Sequence, residues 1–179
     1  MKSNLIFIAV LALPLIFIAC NKDDEKVELD FELAFPENWE SHTYAEEGLV
    51  MDAVRKQISE TDSFPESVVI FKTSFQSANL ALYYQTLKPQ IVASDAHDLI
   101  LWESDTTVNA IDFKKMISQE HLRYIDTYTQ DTVVLAAITE RYFTYKENYG
   151  YNLTFVAVNK TYQEARPVFE DIIGSFQFK

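Results

Sequence analysis

Alternating apolar and polar residues predict strands along much of the chain. From Val27 to Phe35 every second residue is apolar and most residues between them are acidic, which is typical of a half-buried strand. The β-branched run at 68–75 and the apolar run at 99–104 predict two further strands. Residues 49–58 fit either a strand or a helix, because their apolar positions match both periods.

A helical spacing of apolar residues predicts a first helix over residues 77–89. Ser77 can cap its amino terminus, and Pro89 is expected to end it. The positions i, i+3, i+4 and i+7 of its apolar face are Leu80, Tyr83, Tyr84 and Leu87. We therefore expect this helix to pack on a sheet by one face.

A second helix is predicted near the end of the chain, from Thr161 to Gly174. Thr161 and Glu164 match a capping box, and Gly174 is a candidate C-cap. Pro167 either kinks this helix or lies in its first turn. The two phenylalanines of residues 176–178 then predict a short closing strand.

A long antiparallel hairpin is predicted over residues 132–159, with its turn at Gly150. Residues 107–130 allow either a short helix or a strand. Strands and helices do not alternate strictly along the chain, which favours an α+β fold with helices packed on an antiparallel sheet.

The amino terminus has the three zones of a signal peptide. Lys2 precedes an uncharged apolar run, residues 5–19, which ends abruptly at charged residues. A membrane-spanning helix needs about 20 apolar residues, so this run is short for one. A buried core helix is the alternative, but the terminal position and the charged end argue against it. We therefore expect residues 1–19 to be a signal peptide.

The single cysteine, Cys20, lies directly after the apolar run. The sequence FIAC at 17–20 resembles a bacterial lipobox, which implies that Cys20 becomes the first residue of the mature protein and carries acyl chains. Two or three chains anchor a protein stably to a membrane. The alternative is a lone buried cysteine, as in many soluble proteins.

The segment 20–26 is a charged tether after the anchor. Its residues Lys22, Asp23 and Asp24 resemble the export signal of Bacteroidetes lipoproteins, which implies display on the outer face of the outer membrane. A plain flexible linker has the same composition. We expect one folded domain, residues 27–179, to follow.

Composition narrows the function. After residue 19 there remain 14 basic and 27 acidic residues, a net charge of −13, which argues against nucleic-acid binding. One cysteine allows no internal disulfide. The only glycines, Gly48, Gly150 and Gly174, are isolated, so no glycine-rich phosphate loop can form.

The sequence contains no catalytic or metal-binding motif. His42, His97 and His121 are too far apart for a zinc motif, and no G-x-S-x-G sequence occurs. Pairs of carboxylates are expected by chance among so many acids. The acids Glu60, Asp62 and Glu66 could bind Ca²⁺, but a solvated acidic loop is the simpler interpretation. We predict no metal and no cofactor.

A group of tyrosines around the predicted hairpin is the one candidate binding surface. It consists of Tyr142, Tyr145, Tyr149 and Tyr151. If exposed, these rings could hold a peptide or a glycan, because aromatic side chains dominate binding hot spots. If buried, they belong to the core, and we favour this alternative.

Four segments together resemble the PsbP-like family. They are FPENWE at 35–40, DSFPESVVI at 62–70, YNLTFVAV at 151–158 and YQEARPVFEDIIGSFQF at 162–178. The most specific positions are Tyr162, Arg166, Pro167, Phe169, Ile172, Ser175 and Phe176. The resemblance implies an α-β-α sandwich over residues 27–179, with an antiparallel sheet flanked by helices. Members of the family are mostly non-enzymatic, so it supplies no catalytic residues.

These observations predict an outer-membrane or cell-surface lipoprotein that acts as a non-catalytic binding or accessory module. Its expected partners are the membrane, through the lipid anchor, and an unknown protein or glycan. Two alternatives stay open. One is an envelope hydrolase with an unrecognised site, and the other is a structural subunit of an outer-membrane complex.

Overall fold

The computed structural model describes residues 28–45, 48–57, 64–76, 79–94, 96–125 and 132–179, and of residues 97, 124 and 125 only the backbone. The predicted signal peptide, residues 1–19, lies outside the described residues. So do Cys20, Lys22, Asp23 and Asp24, and the predictions about them are therefore not addressed by the structure.

The described chain forms strands and two helices in a simple order. The elements are β1 (Phe31–Glu32), β2 (Trp39–Thr43), β3 (Gly48–Arg55), β4 (Ser67–Ser74), α1 (Leu80–Val92), β5 (His97–Val108), β6 (Ile111–Ile125), β7 (Thr132–Lys146), β8 (Tyr149–Val158), α2 (Tyr162–Gly174) and β9 (Gln177–Phe178).

Seven of these strands form one antiparallel sheet in the order β2-β3-β4-β8-β7-β6-β5. The long strands β5, β6 and β7 each pair with the next strand in the chain, and the residues between β6 and β7, 126–131, lie outside the described residues. The short strands β1 and β9 form a separate antiparallel pair. The two edges of the main sheet are therefore β2 and β5.

Two of the hairpins turn through two residues at positive φ. Asn109 and Ala110 join β5 to β6, and Glu147 and Asn148 join β7 to β8. Positive φ at both central residues is the type I′ geometry that suits the twist of paired strands. The prediction of a turn at Gly150 is wrong, because Gly150 lies within β8 and pairs with Tyr145.

Gly150 is needed for a different reason. A Cβ atom at this position would lie 2.1 Å from Cε2 of the Tyr83 ring, which comes from α1. No side chain fits in that space without displacing the ring. The glycine therefore permits close packing of the helix on the sheet.

Both helices differ at their ends from the sequence prediction. Asn79 caps α1 by accepting a hydrogen bond from the amide of Leu82, and Pro89 lies exposed within the helix and does not end it. In α2, Thr161 makes no side-chain cap. Pro167 lies inside that helix, and its C-cap is Ser175.

The strand predictions are correct in the middle of the chain and incomplete at its start. The strand predicted at 68–75 is β4, and the one predicted at 99–104 lies within β5. In the ambiguous segments 49–58 and 107–130, the strands are β3 and β6, and residues 126–130 lie outside the described residues. The predicted strand at 27–35 is described from residue 28, and of these residues only Phe31 and Glu32 form strand pairs. The strand β2 was not predicted, because its sequence WESHT is mostly polar and lies at the sheet edge.

One helix packs on each face of the sheet. On β7, Tyr142 belongs to a large cluster that includes Ala165 and Phe169 of α2. The next residue, Phe143, belongs to a small cluster with Tyr83 of α1. Successive residues of a strand point to opposite faces. We call the two sides the α2 face and the α1 face.

The fold is therefore α+β and dominated by its sheet. Within the described residues no helix is both long and apolar enough to cross a membrane.

Candidate functional site

The predicted tyrosine surface is divided between core and periphery. Tyr142 and Tyr151 are 3 % and 1 % exposed and lie in the large core cluster. Tyr145 and Tyr149 are half-buried. The four rings do not meet at one open surface, because Tyr145 points to the α1 face while the other three follow the alternation of the α2 face.

The hydroxyl groups of the buried tyrosines have internal partners. Tyr151 donates to Oδ2 of Asp30 at 2.5 Å, and Tyr142 donates to Oε2 of Glu140 at 3.2 Å. Burial raises the pKa of both tyrosines, and the neighbouring carboxylates raise it further. These hydroxyls are neutral hydrogen-bond donors of the core.

A buried ion pair lies on the α2 face. Glu140, 1 % exposed, accepts hydrogen bonds from the hydroxyl of Tyr162 at 2.6 Å and from that of Tyr142. Its Oε2 lies 2.6 Å from Nζ of Lys115. Burial raises the pKa of Tyr162, and its hydrogen bond to Glu140 adds to the shift.

A second buried ion pair lies on the α1 face. The guanidinium of Arg141 donates to both carboxylate oxygens of Glu120, at 2.5 and 3.1 Å. The hydroxyl of Ser118 accepts from Arg141 at 3.0 Å and donates to Glu120 at 2.8 Å. All three residues are buried. The pair is bidentate and closed, so it has the character of a structural group.

A polar cleft lies between α1 and the β5–β6 hairpin, which we call the α1–β5 cleft. It consists of two cavities of about 570 and 250 Å³ that share Asp105 and Lys114. Lys114 lies 2.6 Å from Asp105, and Lys88 lies 2.7 Å from Glu103. The cleft is thus lined by charges that already neutralise one another.

Tyr84 also belongs to this cleft and donates a hydrogen bond to Glu103. Burial raises the pKa of Tyr84, and Glu103 adds to that effect. Hydrogen bonds from Lys88 and Tyr84 lower the pKa of Glu103. Both shifts favour Glu103 as the carboxylate acceptor and Tyr84 as the neutral donor of this hydrogen bond.

Another cavity, of about 600 Å³, opens beside β1 and β9. Its wall is formed by Leu29, Phe31, Glu32, Leu33, Ala34, Met51, Ser175, Gln177 and Lys179. Most of these side chains are apolar, or are engaged with one another. Gln177, for example, donates to Glu32 at 2.9 Å.

The two histidines whose side chains are described, His42 and His121, lie on different strands, β2 and β6, and each contacts its own aspartate. Nδ1 of His42 lies 3.0 Å from Asp52, and Nδ1 of His121 lies 2.7 Å from Asp98. Both histidines are exposed. In the part of the chain that the structure describes, no three His, Cys, Asp or Glu side chains are close enough to hold a metal ion. Glu66, suggested above as a Ca²⁺ ligand, is buried and paired with Arg55.

The edge strand β5 has a feature that sequence reasoning missed. Leu99, Leu101 and Trp102 are 56, 46 and 61 % exposed. We call these three residues the β5 edge patch. The sequence LILWES predicted a strand, but which of its residues face solvent depends on the position of β5 in the sheet. A tryptophan in a strand next to charged residues was the available signal.

The chain is similar to known proteins in its fold but not in its sequence. No family model and no curated protein matches the chain. The solution structure of cyanobacterial PsbP (CyanoP) from Synechocystis sp. PCC 6803 is similar, with 12 % identity and a TM-score of 0.53. The match covers 84 % of this chain and 87 % of that one.

The crystal structure of LpqN, involved in cell envelope biogenesis of Mycobacterium tuberculosis, is also similar. It has 11 % identity and a TM-score of 0.56, and the match covers 83 % of each chain. At such low identity the similarity concerns the fold alone. The chain therefore has a PsbP-like α+β fold.

Proposed function

We propose that the protein is a lipoprotein of the cell envelope whose domain, residues 27–179, is a non-catalytic binding or accessory module. Residues 1–19 are removed as a signal peptide, and Cys20 carries the acyl chains. Residues 20–26 form the tether, and Lys22, Asp23 and Asp24 direct the protein to the outer face of the outer membrane. The helices and sheet form the α-β-α arrangement that the family resemblance implies.

The observation that carries the non-catalytic role is the pairing of the buried charges. The buried charged side chains in the described ranges are Glu66, Glu120, Glu140 and Arg141, and each is in an ion pair. Catalytic acids and bases are usually buried groups with a perturbed, available charge. Here each buried charge is engaged by a partner of the opposite sign, which supports a role for the exposed surface.

The envelope location is supported from two sides. LpqN, which has the same fold, is described as involved in cell envelope biogenesis. The amino-terminal pattern of Lys2, residues 5–19 and Cys20 independently resembles a lipoprotein signal. A second candidate function, a structural subunit of an outer-membrane complex, is favoured by the exposed apolar residues of the β5 edge patch.

The fold also gives the anchored domain an orientation. The described chain begins beside β1, which pairs with β9, and Asn109 of the β5–β6 turn donates to the carbonyl groups of Gly174 and Phe176. The first described residues and this turn therefore lie at one end of the domain. Eight residues beyond Cys20 span at most about 28 Å. The opposite end of β5 is then the part held away from the lipid.

The anchor is tested by fractionation of cells that express Cys20→Ser, with Asn21→Ser as the matched control. We expect Cys20→Ser to leave the membrane fraction and to lack acyl chains in mass spectrometry, whereas Asn21→Ser stays acylated. Replacing Lys22, Asp23 and Asp24 by alanine should keep the anchor but abolish cleavage by protease added to intact cells. An unacylated wild-type protein would refute the proposal.

The binding role is tested by covalent cross-linking in intact envelopes, followed by purification and identification of the attached protein. We expect the acylated wild-type protein to retain one specific envelope protein. If no envelope protein is cross-linked to the wild-type protein, a binding or accessory role is contradicted.

A further inference from the structure

The β5 edge patch lies on a strand that has no neighbour on one side among the described residues. β5 is last in the sheet order and twelve residues long, whereas the other edge strand, β2, has five residues. An edge strand exposes backbone donors and acceptors that can pair with another chain. Proteins usually protect long edges with exposed charges or bulges. β5 has both near the patch, yet it keeps three large apolar residues exposed and a regular stretch from Trp102 to Val108, which together indicate a binding surface.

Two carboxylates beside the patch are paired with lysines of the domain and are still accessible. Glu103 lies 2.7 Å from Lys88, and Asp105 lies 2.6 Å from Lys114. The side chains of Glu103 and Asp105 are 36 % and 76 % exposed, so each can accept a further cation from a partner.

Two parts of β5 have different geometry. The pairing with β6 is irregular between His97 and Leu99 and again between Ile100 and Trp102, and it is regular from Trp102 to Val108. An added strand would pair with the regular part. Leu99 and Leu101 would then contact it near its end, about 20–30 Å from the β5–β6 turn.

A second copy of this chain fits the edge poorly. If two copies paired antiparallel through their regular parts, residues 102–108, Asp105 of one would lie opposite Asp105 of the other. Like charges directly opposite each other destabilise a strand pair. The large net negative charge of both copies would add to this repulsion.

The side chains of the regular part alternate between the faces. Glu103 and Asp105 pair with Met116 and Lys114 and so belong to the α1 face. Trp102 pairs with Ile117, which packs against the large core, and so belongs to the α2 face. An added strand would meet acidic side chains on one face and an exposed indole on the other.

We infer that the open edge of β5 binds an extended segment of another protein, in which lysine or arginine alternates with apolar residues. The segment adds to the sheet as an antiparallel strand. Its basic side chains lie next to Glu103 and Asp105, and its apolar side chains pack on Trp102. Backbone hydrogen bonds supply affinity and the alternation supplies specificity. This inference rests on the proposed function as a binding module.

The probe for this site is a short blocked peptide in which lysine and valine alternate. The chain has two tryptophans, and Trp39 is 8 % exposed, so a change in tryptophan emission reports mainly on Trp102. We expect a blue shift on titration of the wild-type protein. The same peptide with alternate backbone nitrogens methylated lacks the N–H donors that pair with β5, and it should not bind. A glutamate–valine peptide should bind at least tenfold more weakly.

Substitutions in the protein test whether the peptide binds at the edge of β5. Binding is measured by the fluorescence anisotropy of the labelled lysine–valine peptide. Leu99→Ser and Trp102→Ser should each weaken binding, about tenfold for Trp102→Ser, because an exposed tryptophan is a typical hot spot. Leu82→Ser is the matched control, since Leu82 is 43 % exposed on α1. It should bind like wild type, and circular dichroism should show all three variants folded.

Several results would overturn the inference. They are absence of binding by the lysine–valine peptide, equal binding by its methylated form, and equal effects of Leu82→Ser and Trp102→Ser. The envelope cross-linking experiment separates this outcome from failure of the proposed function. If Trp102→Ser still captures the same envelope protein as wild type, the edge is not the site but the binding role stands.

Discussion

The two faces of the sheet are stabilised in different ways. The α2 face has a continuous aromatic core, in which Phe169 of α2 lies 5.1 Å from Phe155 and 6.4 Å from Trp39, between ring centroids. The α1 face has a small cluster of three fully buried residues, Tyr83, Met116 and Phe143. Partly buried apolar residues surround this cluster, and the α1 face also contains the buried ion pair between Arg141 and Glu120.

The difference follows from the helices. Five residues of α2 are buried, whereas only Tyr83 of α1 is, and Leu82 on the same helix is largely exposed. Burial of apolar surface is the main favourable term in folding, so α2 contributes more to stability than α1. The α1 face instead contains polar groups whose removal one at a time is costly.

The largest expected effect comes from breaking the ion pair of the α1 face. Arg141→Met leaves the carboxylate of Glu120, 4 % exposed, without its cation. We expect the free energy of unfolding in urea to fall by about 3–5 kcal/mol. The double variant Arg141→Met/Glu120→Leu removes both charges and should recover most of that loss.

Removing the cation of the ion pair on the α2 face should reduce the stability of the fold by a smaller amount. Lys115→Met leaves Glu140 with hydrogen bonds from Tyr142 and Tyr162, so the carboxylate stays partly compensated. We expect a loss of about 2 kcal/mol. Equal losses for Lys115→Met and Arg141→Met would remove the proposed distinction between the faces.

A smaller effect is expected where α1 contacts the sheet at Gly150. Gly150→Ala places a Cβ atom against the Tyr83 ring, and overpacking of this kind costs about 1–3 kcal/mol. In a Tyr83→Leu background the same substitution should cost less, because the ring is gone. Thermal or urea unfolding of the four proteins of this cycle measures the coupling.

Gly174→Ala is the matched control for that substitution. Gly174 ends α2, and a Cβ atom there would contact nothing within 4 Å. The change should be within about 0.5 kcal/mol, or slightly stabilising, as is usual for alanine in a helix. A loss as large as that of Gly150→Ala would contradict the packing explanation.

The smallest expected effect concerns pH. Burial alone would raise the pKa of Asp30, but hydrogen bonds from Lys72 and Tyr151 and the charge of Lys72 hold it below its usual value of 3.8. A lowered pKa contributes stability above the unfolded value, and this contribution disappears as the pH falls through the folded value. Asp30 is partly exposed, so less than about 1 kcal/mol is expected.

Unfolding temperatures of wild type and Asp30→Asn should therefore differ by a constant amount between pH 8 and about pH 5. The difference should shrink below about pH 4. A difference that persists to pH 2 would show that Asp30 acts by geometry and not through its charge.

The fold was more predictable than the candidate site. Local sequence identified β4 through its β-branched run, the β7–β8 hairpin through its long apolar and aromatic strands, and both helices through apolar spacing and capping residues. It missed β2, which is polar, and it misplaced the hairpin turn. Glycine is the usual residue at positive φ, whereas here Glu147 and Asn148 adopt that conformation and Gly150 accommodates a ring.

The candidate site could not be predicted, since exposure is a property of the assembled sheet. Leu99 and Trp102 have the composition of a buried strand, and only the position of β5 at the edge leaves them in solvent. Tyr142 and Tyr151 show the converse, because they lie in the core although their hydroxyls would suit a surface.

The sequence by itself determined the acidic charge, the single cysteine at position 20 and most of the strands and helices, because these depend on composition and on local periodicity. The tertiary structure decided which charges are paired and which apolar residues are exposed. Those properties depend on the order and register of the strands, which bring together residues as distant in sequence as Asp30 and Tyr151.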